Sequence, residues 1–167
     1  MSGLAIRPGD QRDEPAVLAL FDEAIAWLVE RGQIGQWGAI PFSERPNSRE
    51  RVHRFALSGG LHIAERDREP VGALVVGEAP GYAGPPQAAE LYVTLLLSSR
   101  RLAGSGIGGA LVGRAIELAH ERAAEILRVD CWAQAPSLVR WYETQGFVRS
   151  HQFELGGWHG QVFEMRL

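Results

Sequence analysis

Apolar positions along the chain change their spacing several times, and each change marks an element. Residues 4–7 form a short apolar stretch stopped by Pro8 and Gly9, read as a first strand. Val17, Leu18, Phe21, Ala24, Ile25 and Leu28 then share one face at helical spacing. That pattern predicts a helix capped by Asp13, with Pro15 in its first turn and a stop at Gly32. From Gln33 to Asn47 the period is lost among Gly35, Gly38, Pro41 and Pro46, leaving a loop that carries Trp37 and Phe42. Asn47 or Ser48 caps a second helix whose buried face is Val52, Phe55 and Ala56, ended at residues 58–60.

Two strands follow at residues 61–65 and 71–76, joined across Asp67, Arg68, Glu69 and Pro70, which predicts an antiparallel pair. Glycine and proline crowd residues 77–86, a connection into an unbroken apolar run at 91–97. Such a run is expected of a strand covered on both faces. A basic, glycine-rich turn comes next, and a helix opens at about Ile107 with its stripe at Leu111, Ala115, Leu118 and Ala119. Residues 126–132 are another buried strand, so the two flanking strands should run parallel with a right-handed crossover. Pro136 opens a short helix through Thr144, Gly146 ends it, and Phe147 begins a strand. Gly156, Gly157 and Gly160 turn the chain into a last strand at residues 161–167. The expected fold class is mixed α/β (α+β). A central, mostly antiparallel sheet holds one parallel βαβ pair flanked by helices, in one domain spanning residues 1–167.

Composition narrows the function classes. With 167 residues, 46% apolar and 22% charged, the chain can build one core without a disulfide or metal. The formal net charge of −3 argues against bulk attraction to nucleic acid or to a membrane surface, so any anion site is local. No apolar run reaches the roughly 18 residues of a membrane span. One cysteine, Cys131, and five histidines without ligand spacing point to no metal site. The expected location is cytoplasmic, and a homodimer stays open.

The turn after residue 97 is where chemistry is concentrated. Glycines let several N–H groups aim at one spot, and the helix N-terminus adds its own free amides and dipole, so the turn suits a phosphate. Gly104, Gly106 and Gly109 also satisfy the dinucleotide pattern Gly-x-Gly-x-x-Gly, with Asp130 downstream. Against that reading, residues 98–103 separate the strand from the first glycine, and too little chain follows Asp130 for a doubly wound sheet. A purely structural turn is the third alternative.

Three segments carry a resemblance to a known family: Leu95, Leu96, Leu97 and Ser98; then Arg101 through Gly104, Ser105 and Gly106 to Ile107 and Gly108; then Ala135, Ser137, Tyr142, Gly146 and Phe147. In this order they resemble the GCN5-related N-acetyltransferase (GNAT) superfamily, and the likeness extends over essentially the whole chain. The middle segment is similar to the family's pyrophosphate motif Gln/Arg-x-x-Gly-x-Gly/Ala, and the last to its Ala-x-x-x-Tyr-x-x-x-Gly-Phe segment. Aligning Gly106 and Gly108 with the family glycines puts Ala103 where the family has Gln or Arg. The register through Arg101 restores the arginine. Ala135 stands where the family often has Asn, with Gln134 or Ser137 as substitutes.

The resemblance implies acetyl-CoA as co-substrate, no metal, and an amine acceptor of small-molecule type, with a peptide or protein amine as the broader possibility. Cofactor contacts are then expected at Leu96, Leu97, Ser98, Arg101, Ala103, Gly104, Ser105, Gly106, Ile107, Gly108, Ser137 and Tyr142. Tyr142 takes the family tyrosine's place as the acid that meets the departing thiolate, or else only packs against the cofactor. Glu90, at the head of the central strand, is the candidate base, acting through a water. Asp130, alone among apolar neighbours, is a substrate or catalytic group, while Cys131 reads as a small buried residue. Gln36 and Trp37 lie on a loop suited to lining the acceptor pocket, with a core plug as the other role for Trp37. A non-catalytic acyl-CoA sensor would keep the glycine turn and dispense with Tyr142.

Overall fold

The computed structural model describes residues 3–167. Its strands are β1 (Leu4–Pro8), β2 (Leu61–Arg66), β3 (Glu69–Gly77), β4 (Glu90–Ser98), β5 (Ile126–Trp132), β6 (Val148–Leu155) and β7 (Trp158–Arg166). Its helices are α1 (Glu14–Glu30), α2 (Ser48–Leu57), α3 (Ile107–Glu121) and α4 (Pro136–Thr144). The strands form one mixed sheet in the order β1-β2-β3-β4-β5-β7-β6, mostly antiparallel, with β4 and β5 as the parallel pair. No helix among the described residues is long and apolar enough to cross a membrane. Contacts divide the chain into two compact units, Met1–Val75 with Leu95–Leu111, and Val76–Thr94 with Val112–Leu167.

In the first unit, the apolar face of α1 meets Val52 and Ala56 of α2, Ile63, Ala73 and Val75 of the sheet, and Leu95 and Leu97 of β4. Phe21 stacks on Phe42 with centroids 3.9 Å apart, and Trp37 tilts against Phe21 at 5.6 Å. The hairpin between β2 and β3 is tighter than the four-residue connection expected. Asp67 and Arg68 alone make the turn, at φ 54° and 67°, the paired left-handed values that let a two-residue turn follow strand twist. Glu69 and Pro70 therefore belong to β3, and Pro70 falls opposite Glu65 where the register shifts, a place where a missing N–H is tolerated.

The N-terminal cap also differs from expectation. Asp10 accepts the Arg12 N–H at 2.9 Å, while the nearly buried Asp13 accepts the Asp10 N–H at 2.9 Å and pairs with Arg7 at 2.8 Å. Arg7 also reaches Glu65 of β2 at 2.8 Å, so one guanidinium ties β1, β2 and the start of α1 together.

In the second unit, β7 runs antiparallel to β5 and pairs on its other side with β6. The final turn uses Gly156 and Gly157, both at positive φ, so β7 starts at Trp158 rather than at residue 161. Gly160 lies inside that strand because a side chain there would meet the ring of Phe153 at 2.2 Å. Phe147, expected to open a strand, is buried instead with its ring edge-on to Tyr142 at 5.8 Å, and β6 begins one residue later.

The Arg7 pair holds the Asp13 carboxyl below its ordinary value, chiefly through the side-chain hydrogen bond. A carboxyl depressed in the folded state stabilises fully above its unfolded pKa of about 3.9, and that contribution is lost as pH falls through the lower folded value. Asp13→Asn is expected to lower the unfolding free energy at pH 7 by about 1–3 kcal/mol. In urea melts taken at successive pH values, the gap between wild type and variant should close below about pH 4; a gap independent of pH would contradict this assignment.

Candidate active site

The glycine-rich turn belongs to the first unit. A short 3-10 turn at residues 100–102 uses the Ala103 amide on the Arg100 carbonyl at 3.3 Å, and the Ser105 amide goes to the Leu102 carbonyl at 3.1 Å. Among the described residues, no carbonyl takes the amides of Gly104, Gly106, Ile107 or Gly108. Helix α3 opens at Ile107, and Ala110 donates to the Gly106 carbonyl at 3.0 Å. Gly104 and Gly106 sit at φ 80° and 83°, and a Cβ on either would meet nothing within 4 Å. Left-handed backbone, not lack of room, therefore demands glycine there. The result is a run of amides without a carbonyl partner at the positive end of a helix, the kind of arrangement that suits a phosphate.

Glu23 of α1 anchors this turn. Its Oε1 accepts the Ser99 hydroxyl at 2.9 Å and the Arg101 amide at 3.1 Å. The Arg101 side chain is 76% exposed, with Nε 3.9 Å from Glu23. Arg100 turns toward α1: its Nη2 donates to the Ser98 hydroxyl at 2.6 Å, and its guanidinium lies 5.1 Å from the Trp27 ring. Leu96 and Ser98 are half-buried and alternate with Leu95 and Leu97, which places them on the strand face away from the first unit's core cluster.

The second unit holds the titratable candidates. Recorded β4–β5 pairs run from Glu90 opposite Ile126 to Val93 opposite Val129, and the next β4 residue, Thr94, is exposed in the middle of the sheet. Just beyond the last pair stands Asp130. The Tyr92 hydroxyl donates a short hydrogen bond to its Oδ2. Burial raises the Asp130 carboxyl above the usual carboxylate range, with the Tyr92 bond opposing. Burial, followed by the Asp130 charge, pushes the Tyr92 phenol up.

Tyr142 projects from α4 onto the opposite sheet face. Its ring lies 5.3 Å from Phe163, which pairs with Val129, the neighbour of Asp130. Its hydroxyl has no hydrogen-bond partner among the described residues, yet no buried side-chain polar atom there lacks one. The oxygen therefore reaches accessible space at the edge of the ring's apolar pocket. Burial, then Cys131 and Asp130, raise its phenol well above the ordinary value. Cys131 is a buried free thiol pushed up to about 12 by the same desolvation, which leaves it protonated and unfit as a nucleophile.

Glu90 is placed differently from a free base. Arg128 grips both its oxygens, at 2.5 Å and 2.9 Å, and gives two more donors to the carbonyls of Ala83 at 2.7 Å and Gly84 at 3.0 Å. With both oxygens held by Arg128, the carboxylate is tied to the 83–84 turn. It also stands four residues before Thr94, about 13 Å along an extended strand. Trp37 packs against the first unit's core cluster, the plug alternative, and Gln36 beside it is half-buried. Ser137 is exposed in the first turn of α4. The sequence reading overlooked Tyr92, Glu23 and Arg128. Parity within β4 and β5 was the one available signal for Tyr92, since a parallel pair aligns positions 92 and 130 on one face.

Comparison with known proteins follows the same line. The family model described as acetyltransferase (GNAT) family matches residues 22–147. No curated protein sequence matches the chain significantly. Among solved structures, a GNAT-family acetyltransferase from Listeria monocytogenes superposes with TM-score 0.74 at 17% identity, covering 100% of this chain and 98% of its own. The ribosomal-protein-alanine N-acetyltransferase of Brucella melitensis gives 0.71 at 20% identity, with 98% and 99% covered. The yncA protein of Salmonella typhimurium, solved with its cofactor acetyl-CoA, gives 0.68 at 16%, with 98% and 94% covered. At these identities the likeness is one of fold.

If Glu90 is tied in this way, removing its partner is worse than removing both. Arg128→Met should cost about 3–5 kcal/mol by leaving a carboxylate buried and unpaired. Arg128→Met with Glu90→Leu should recover most of that loss in denaturant melts. A double variant no more stable than Arg128→Met would contradict the assignment.

Proposed function

The chain belongs to the acetyltransferase (GNAT) family, the acetyl-CoA-dependent N-acetyltransferases, and on that premise we propose that its acceptor is an amine of a small molecule, acetylated directly and without an acyl-enzyme. What carries the reading is the row of free amides at Gly104, Gly106, Ile107 and Gly108. Four N–H groups without a carbonyl partner and a helix dipole suit a diphosphate, and the open space beside Gly104 and Gly106 leaves it room. Bound acetyl-CoA supplies an acetyl thioester, a carbonyl already activated toward nitrogen.

The protein's residues divide the remaining work. Leu96 and Ser98 offer backbone groups to the pantetheine arm as a neighbouring strand would. Asp130 receives the acceptor's ammonium, which releases one proton to solvent before it can attack; as the neutral amine forms the C–N bond Asp130 takes the second proton, a role suited to a carboxylate raised above its ordinary value. Tyr142, neutral at any ordinary pH, hydrogen-bonds the sulfur as the C–S bond breaks and passes its proton to it. Direct transfer also agrees with Cys131, which is buried and protonated. A cytoplasmic location belongs to the same proposal.

Tyr142→Phe removes one oxygen from an otherwise apolar pocket, so the fold should survive. Thiol release is expected to fall about 100-fold while acetyl-CoA still binds by calorimetric titration. Unchanged turnover removes Tyr142 from the acid role, and wild-type binding of acetyl-CoA without turnover on a broad amine panel would favour a sensing module.

The Tyr92 bond lowers the Asp130 pKa, so losing it must move that pKa up. A base works only when ionised, and the acidic limb of kcat/KM should therefore shift to higher pH in Tyr92→Phe. A limb that stays in place or moves to lower pH would separate Asp130 from the base role.

A further inference from the structure

Asp130 stands at one end of a half-exposed patch of aromatic rings, all within the second unit and all on one sheet face. Residues opposite each other in a ladder, and residues two apart in a strand, share a face. Asp130 is opposite Val162, Trp132 is opposite Gly160, and Phe153 is opposite Gly160 from the other side. Trp132 and Phe153 therefore flank Gly160 on the face of Asp130. The space a side chain would take at Gly160 is filled by the Phe153 ring, 2.2 Å from an added Cβ, and by Trp158, at 2.7 Å. Phe153 lies 5.7 Å from Trp158 and 4.7 Å from Tyr82, and Tyr82 is 43% exposed. Four aromatic side chains thus line a strip that ends at a carboxylate.

Carboxylates gather around Asp130 on this face. Glu164 is opposite Arg128 in the ladder, and Glu90, Asp130 and Glu164 share the face with Arg128, which is committed to Glu90 and two carbonyls. Arg166, opposite Ile126, and His151, two residues before Phe153, lie on the same face, Arg166 about 13 Å along β7 from the position opposite Asp130. A cation is welcomed beside Asp130, and a carboxylate placed there by the same ligand would meet repulsion from Asp130 itself. Rings that stay partly exposed in the free protein gain most from a flat apolar partner.

Resting on the transfer reading above, we infer that the acceptor is a primary amine borne on an aromatic body without a carboxylate. Its ammonium goes to Asp130, and its ring lies on Phe153, Trp158, Trp132 and Tyr82. Phe153 and Trp158 are the specificity-determining residues.

The test uses the full chain and three probes: 2-phenylethylamine, L-phenylalanine, which adds a carboxylate, and spermidine, which has charge without a ring. Thiol release should favour 2-phenylethylamine over either of the others by at least about tenfold in kcat/KM. Phe153→Leu should raise its KM about tenfold with kcat nearly unchanged, and Trp158→Leu should do the same if the first variant melts early. Preference for L-phenylalanine or spermidine, or an unchanged KM in both folded variants, overturns the inference. Calorimetry with 2-phenylethylamine separates the two readings. Turnover of other amines with no binding of this one sinks the inference alone. Binding that disappears in Asp130→Asn, with no thiol release from any amine, sustains it and sinks the transfer reading.

Discussion

Where the parallel ladder between β4 and β5 stops decides what the second unit can do. Up to Val93 and Val129 the two backbones satisfy each other, and the side chains on one face form a dry core with Phe163 and Tyr142. Past that point β5 goes on pairing with β7, Asp130 opposite Val162 and Trp132 opposite Gly160. The ring of Tyr142, packed on Phe163 opposite Val129, and the carboxylate of Asp130 lie on opposite faces of the sheet. The alternation of β5 side chains sets Asp130 apart from the apolar pocket of Tyr142 without a special loop.

The first unit meets a different constraint. Amides that bind an anion must be withheld from the protein's own carbonyls, and left-handed residues do this by turning consecutive N–H groups the same way. Gly104 and Gly106 provide the geometry, but glycine also frees the chain to leave it. Glu23 limits that freedom by gripping Ser99 and the Arg101 amide at the entry to the turn. A carboxylate on α1 thus steadies the turn, one of its oxygens taking both of the loop's donors.

Much of this was legible along the chain, and the rest was hidden for a physical reason. Periodicity gave β5 its observed ends and put the start of α3 at Ile107, because burial on one or both faces is written locally in side-chain spacing. The glycine turn was legible too, since left-handed backbone leaves a residue-type signature. Roles that depend on a partner far along the chain were not. Glu90 and Arg128 are 38 positions apart, as are Tyr92 and Asp130, and no local pattern distinguishes a carboxylate that is gripped from one that is free. Trp37 looked like a pocket residue because it sits among glycines, and only the position of Phe21 shows that its ring closes the core. Gly160 looked like part of a turn, whereas it is a strand position emptied for a ring seven residues earlier.

The Glu90 to Arg128 pair shows how such long-range contacts reach the chemistry. A buried pair of this kind is often no more stabilising than apolar residues of the same volume, so stability alone does not account for it. Its geometry does: two of the Arg128 donors hold the carboxylate and two hold the carbonyls of Ala83 and Gly84. Those carbonyls end the short turn that carries Tyr82, and Tyr82 covers Phe153. A leucine and methionine could fill the same space but could not fix two carbonyls at the tip of a proline- and glycine-rich connection. The ion pair therefore bears on the ring of Tyr82 through the backbone and not by contact, and the carboxylate expected from sequence as a candidate base is held in a pair that braces this connection.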